Sequence, residues 1–156
     1  MIKVIIQTKT NSAGKAKEWP FFEELISLNP EVNFVEVLIE GQNPTKGAAA
    51  MYGTRKEILQ ELKDSDMFIS IDSWLQHLAS MQTDKLGLVI FSRSNPAIFG
   101  YPKFANVFEN TKYFKSNPYE AWSPVDIMTE AFPSIEIVQK TFLELLHIVT
   151  AKKKSI

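Results

Sequence analysis

Residues 66–80 read DMFISIDSWLQHLAS. Met67, Phe68, Ile69 and Ile71 form a nearly unbroken apolar run, and Asp72-Ser73 then opens a short helix to about Ser80 that carries His77. A continuous apolar strand, as opposed to an alternating one, is what a sheet buried on both faces requires. The direct passage from strand to helix points to a parallel α/β arrangement.

The same unit recurs on either side. Ile2 to Gln7 is a β-rich run, followed by the polar loop Thr8 to Glu18. Trp19-Pro20 begins a helix with Phe21, Phe22, Leu25, Ile26 and Leu28 near a 3.6-residue period, and Asn29-Pro30 ends it. Asn33 to Ile39 reads as the second strand, and Glu40 to Gly53 as a loop. Thr54 and Glu57 have the spacing of a capping box for a helix from Arg55 to Lys63.

Leu86 to Phe91 reads as a fourth strand and Ala105 to Phe108 as a short fifth, with residues 95–124 mostly loop. Their aromatic part, Phe99 to Trp122, is expected to cover a sheet edge, the alternative being a partner surface. Ser134 caps a last helix through Val149. No internal repeat or linker interrupts this order. The expected fold is a single doubly wound, Rossmann-like α/β domain over residues 1–150, with a mostly parallel sheet of about five strands. Residues 151–156 are expected to be a frayed basic tail.

Composition narrows the function. The 156 residues carry a net charge of −1, so no general attraction to nucleic acid is implied. The absence of cysteine excludes disulfides, thiolate metal sites and cysteine nucleophiles, and fits a reducing compartment. No apolar stretch approaches the ~20 residues that span a bilayer. No secretory signal is seen at the start, and a cytoplasmic location is expected.

In a sheet of this type ligands gather at the carboxyl ends of the strands, where loops meet helix N-termini. Four loops fall there: Thr8 to Glu18, Glu40 to Gly53, Asp72-Ser73, and Ser92 to Asn95. The first and last are rich in hydroxyls and cations, which suits an anion such as phosphate. Neither a G-x-G-x-x-G fingerprint nor a P-loop is present. Ser73 and His77 lie four residues apart on one helix face, so His77 is placed to donate to a phosphate oxygen. The alternative is a capped helix, with Ser73 as cap and His77 packed on its neighbours.

Lys15 and Lys17 either reach phosphates or solvate their loop. Trp19 and Trp74 either stack on a ligand or pack. Arg93, directly after a buried strand, is a further candidate. Two isolated histidines without a carboxylate cluster make a poor metal site, so no metal is expected. No strained G-x-S-x-G turn is present to support a serine nucleophile.

Taken in order, KEWPFFEELI (17–26), YGTRKEILQELKDSDMFISIDSWLQHLAS (52–80) and LVIFSRSNP (88–96) resemble the C-terminal half of the heptosyltransferases. These are glycosyltransferases of the two-domain GT-B fold. The family pattern runs K-x-W-P, then D-S/T-G-x-x-H-L-A, then a strand ending F-G-x-S/T-x-P. The resemblance spans roughly residues 2–110 and implies a domain that binds a nucleotide-diphosphate sugar of the ADP-heptose kind, with no further cofactor.

By position, it gives Lys17 a phosphate contact and makes Asp72, Ser73 and the following backbone N–H groups a cradle for diphosphate or sugar. His77 takes the place of the family's histidine, and Ser12 lies near its hydroxyl residues. Glu40 is the nearest candidate for the acid that holds the ribose. The chain departs from the pattern at Trp74, where the family has glycine, and at Phe91-Ser92-Arg93 and Asn95. The acceptor domain and its general base are expected to be missing, so that a partner chain or homodimer would supply them. The alternatives are a non-catalytic binding module derived from such a half and a doubly wound domain for another phosphate-bearing ligand.

Overall fold

The computed structural model describes residues 1–10, 16–115 and 129–156. Its strands are β1 (Ile2–Gln7), β2 (Val32–Leu38), β3 (Ala49–Tyr52), β4 (Met67–Ile71), β5 (Leu86–Ile90) and β6 (Ala105–Val107). Its helices are α1 (Phe22–Ser27), α2 (Arg55–Asp64), α3 (Trp74–Gln82), α4 (Pro96–Phe99) and α5 (Ile135–Lys154). The strands form one sheet in the order β3-β2-β1-β4-β5-β6, and every pairing is parallel.

Alternation within each strand divides the core in two. Val4, Ile6, Phe34, Ile69 and Ile90 face α1 and α5, where Leu25, Val138 and Phe142 pack against them. Ile5, Val35, Phe68 and Val89 point the other way, toward Ile58 and Leu62 of α2 and Leu75 and Leu78 of α3. Both faces are therefore covered, as a doubly wound sheet demands. Gly87 of β5 lies against the ring of Phe68, and a Cβ there would collide with it. That ring meets Phe104 edge-on at 4.9 Å.

Three expectations need correction. The sheet has six strands, because Ala49–Tyr52 pairs with Val35–Leu38 at the edge where a loop was expected. Gly47 precedes this strand at φ +89°, a backbone conformation that a side chain rarely adopts, and it also lies hard against Ile26. The described part of the stretch after Asn95, up to residue 115, holds α4 and a 3-10 turn besides the expected short strand. Asn95 caps α4 by accepting from the Ala97 N–H at 2.9 Å, and Thr111–Tyr113 forms a 3-10 turn. Phe104 is buried against Phe68 on one face of the sheet, Phe108 is exposed, and Trp122 lies outside the described residues.

The last helix also continues five residues beyond Val149. Lys152, Lys153 and Lys154 lie in its final turn, where cations oppose the negative end of the helix dipole. Lys153 pairs with Asp66 at 2.8 Å, and Asp66 accepts from the Lys3 backbone N–H at the same distance. The basic end is thus fastened beside β1.

The capping box forms as expected. Thr54 N–H donates to Glu57 at 2.6 Å, and its hydroxyl accepts from Glu57 N–H at 3.3 Å. The bond from the Thr54 backbone, with the one from its side chain, holds the Glu57 carboxyl below its ordinary pKa. The contribution is complete above the ordinary carboxylate pKa and is lost as pH falls through the lowered one. Thr54→Ala is expected to cost about 1 kcal/mol in urea unfolding near neutral pH, and less at a pH where Glu57 is protonated.

Candidate functional site

Strand order reverses between β1 and β4, so the crevice above their carboxyl ends is the place where this topology leaves room for a ligand. Gln7 closes β1 there and is almost fully buried. Its amide nitrogen donates to Ser73 Oγ at 3.0 Å, and its amide oxygen accepts from the Leu75 backbone N–H at 3.2 Å. One side chain thus ties the end of β1 to the first turn of α3. Ser73 occupies the N-cap position but makes no side-chain cap, contrary to the capped-helix alternative. The bond from Leu75 goes to Gln7 instead.

Asp72, also buried, accepts from Gln76 Nε2 at 2.7 Å, one helical turn on. Its other oxygen lies 3.4 Å from Lys17 Nζ. Lys17, Asp72 and Ser73, far apart in sequence, therefore meet at the crevice. His77 is exposed one turn further along α3, and its Nδ1 lies 2.6 Å from the Tyr101 hydroxyl. It is not packed into the core.

Three cavities adjoin this cluster. The largest, about 660 Å³, runs over the ends of β1, β2 and β3 and is lined by Gln7, Lys17, Leu38, Glu40, Tyr52 and Trp74 among others. A smaller one, about 260 Å³, lies between Lys17, Asp72, Ser73, Trp74, His77 and Lys115. A third, about 450 Å³, is bounded by Ile39, Arg55, Trp74 and His77. Glu40, the nearest candidate for a ribose acid, therefore borders the largest cavity.

Trp19 is settled as a packing residue. It is buried, donates from its indole N–H to the Pro133 carbonyl at 2.9 Å, and meets Phe22 edge-on at 5.1 Å. Arg93 does not line the three cavities, and its carbonyl accepts from the Lys115 N–H at 2.8 Å. Ser12 and Lys15 lie outside the described residues. Among the described residues no group of three metal-ligating side chains is found. None of the described helices is long and apolar enough to cross a membrane.

Four polar groups escaped the sequence reading. Gln7 is a polar residue closing an apolar strand, and Gln76 stands at a helical spacing of four from Asp72. Glu36 is a carboxylate inside the run NFVEVLI and is fully buried. It accepts from Lys9 Nζ at 2.7 Å, from Thr45 N–H at 2.5 Å and from the Thr8 hydroxyl. Those three left some trace in the sequence; Tyr101 left none.

Sheet order and crevice define a doubly wound α/β domain with the fold of one half of a GT-B glycosyltransferase. Among solved structures it is similar to heptosyltransferases of E. coli. The iron-containing dodecameric glycosyltransferase TibC, from an enterotoxigenic strain, superposes with a TM-score of 0.68 at 18% identity, over 97% of this chain and 45% of that one. Heptosyltransferase WaaC, solved with ADP, gives 0.62 at 15% identity over 92% and 44%. ADP-heptose LPS heptosyltransferase II gives 0.59 at 14% identity over 98% and 47%. The chain therefore spans a little under half the length of each. No family model and no curated protein sequence matches it.

Proposed function

We propose that this chain is a glycosyltransferase-like domain that binds a nucleotide-diphosphate sugar in the β1–β4 crevice. The observation that carries the reading is the meeting of Lys17, Asp72 and Ser73 at the strand-order reversal, with cavities on both sides. A diphosphate entering there offers Lys17 a stronger partner than Asp72 at 3.4 Å. Asp72 stays held by Gln76 and is left to accept from sugar hydroxyls. Ser73 and His77 supply donors beside it, and Glu40 is positioned for the hydroxyls of a ribose.

Complete transfer would then require an acceptor site and a general base beside this crevice. The second reading, a binding module without turnover, is favoured by Trp74, whose ring occupies a position where the resembling family has glycine. Both readings predict nucleotide binding.

Thermal shift with ADP, UDP, GDP, CDP and their sugars tests that shared step. A ligand at 100 times its Kd adds about 2.7 kcal/mol, which for a chain of this size raises the melting temperature by roughly 5–10 °C. If no member of the panel moves the transition, the proposal fails.

A further inference from the structure

Trp74 is treated differently from Trp19. Both are large amphipathic rings, yet Trp19 is buried and tied to a carbonyl, whereas Trp74, the first residue of α3, remains 38% exposed. It is also the residue common to the linings of the 660, 260 and 450 Å³ cavities. The compartments on its sides differ in chemistry. The largest has apolar walls at Leu38, Ile39, Tyr52 and Ile58, and its polar members include Gln7, Lys9, Thr10, Glu40 and Gln42. The smallest has no aliphatic wall and gathers Lys17, Asp72, His77 and Lys115 beside the Phe99 ring. Lys17 and Ser73 line both and mark the passage between them.

We infer that Trp74 is the stacking surface for a nucleobase, seated in the largest cavity, and the partition that keeps this base apart from the anion compartment. The inference rests on the reading of the crevice as a nucleotide site and names the residue that selects the ligand's head. A ligand that satisfies both compartments has a flat aromatic head with hydrogen-bonding edges and an anionic tail that leaves past Lys17. A nucleoside diphosphate has that form. A sugar phosphate offers the indole only the C–H face of a saturated ring, and a simple anion makes no use of the apolar walls. Aromatic stacking is tolerant of the base, so the surface favours nucleotides as a class without choosing purine or pyrimidine.

The test is calorimetric titration of wild type, Trp74→Phe and Trp74→Ala with the tightest nucleoside diphosphate of the panel and, separately, with inorganic pyrophosphate. Removing the ring is expected to weaken nucleotide binding about tenfold or more, with pyrophosphate changed less than about twofold and Trp74→Phe close to wild type. Melting curves of the unliganded variants check that each is folded. Unchanged nucleotide affinity in Trp74→Ala, or equal losses for nucleotide and pyrophosphate, would overturn the stacking role. A wild type that binds pyrophosphate but no nucleotide also overturns it, while leaving the anion site at Lys17. Binding of neither ligand removes the nucleotide reading and this inference together.

Discussion

Lys17→Ala is expected to raise the dissociation constant for a nucleoside diphosphate by about 10- to 100-fold, the loss of one charge-assisted contact worth roughly 1.5–3 kcal/mol. Lys17 is the cation shared by the two cavities that would hold the head and tail of such a ligand. Its side chain is about one-quarter exposed, so its charge is only partly screened by water. The pair it makes with Asp72 is long enough to yield to a phosphate, and Asp72 keeps its bond from Gln76 when the lysine is gone. Asp72 is left buried without its cation, so the unliganded variant should lose some stability, and its melting curve checks that it is folded before titration. Calorimetric titration at two salt concentrations is the measurement. The wild type should bind more weakly in the higher salt, and Lys17→Ala should show less of that dependence. A dissociation constant within twofold of wild type would mean that Lys17 does not touch the phosphate.

Glu36→Ala is expected to cost about 3 kcal/mol of folding stability, at the low end for breaking a buried ion pair because Lys9 can regain water. Glu36 is fully buried in β2 and collects bonds from Thr8 and Lys9, just past β1, and from the turn ahead of β3. Its removal leaves the Thr45 N–H and the Thr8 hydroxyl without their acceptor beside an alanine too small to fill the space. Urea unfolding should show the midpoint fall with the slope unchanged. Glu36→Gln, which keeps the shape and part of the bonding, should cost less. Equal stability of Glu36→Ala and wild type would show that water replaces the carboxylate at no cost. Since Lys9 also borders the largest cavity, any nucleotide affinity should fall in the same variant.

The elements that sequence alone reveals are those whose burial is written locally. Continuous apolar runs gave β1, β2, β4 and β5, and the Thr54–Glu57 spacing gave the start of α2. Ala49–Tyr52 escaped because an exposed edge strand has little side chain to bury, and two alanines give no strand pattern. The lysines at the C-terminus looked like a tail because their anchor, Asp66, is distant in sequence. The site divides in the same way. Its charged members could be named by position along strand ends, but Gln7 meets α3 only through the parallel register that sets it opposite Ser70. Trp19 and Trp74 are alike in the sequence, and only tertiary packing separates the buried ring from the exposed one.

The collision that a side chain at position 87 would cause reaches beyond the interior of the sheet. Phe68, Phe104, Tyr101 and His77 stand in succession, with ring centres 4.9, 5.9 and 5.5 Å apart. Each ring packs edge-on against the next, and the series ends on the Tyr101 hydroxyl that bonds His77. A methyl group added at Gly87 would push on the first of them. The surroundings of a surface histidine are thus linked to a side chain that is missing in the middle of the sheet.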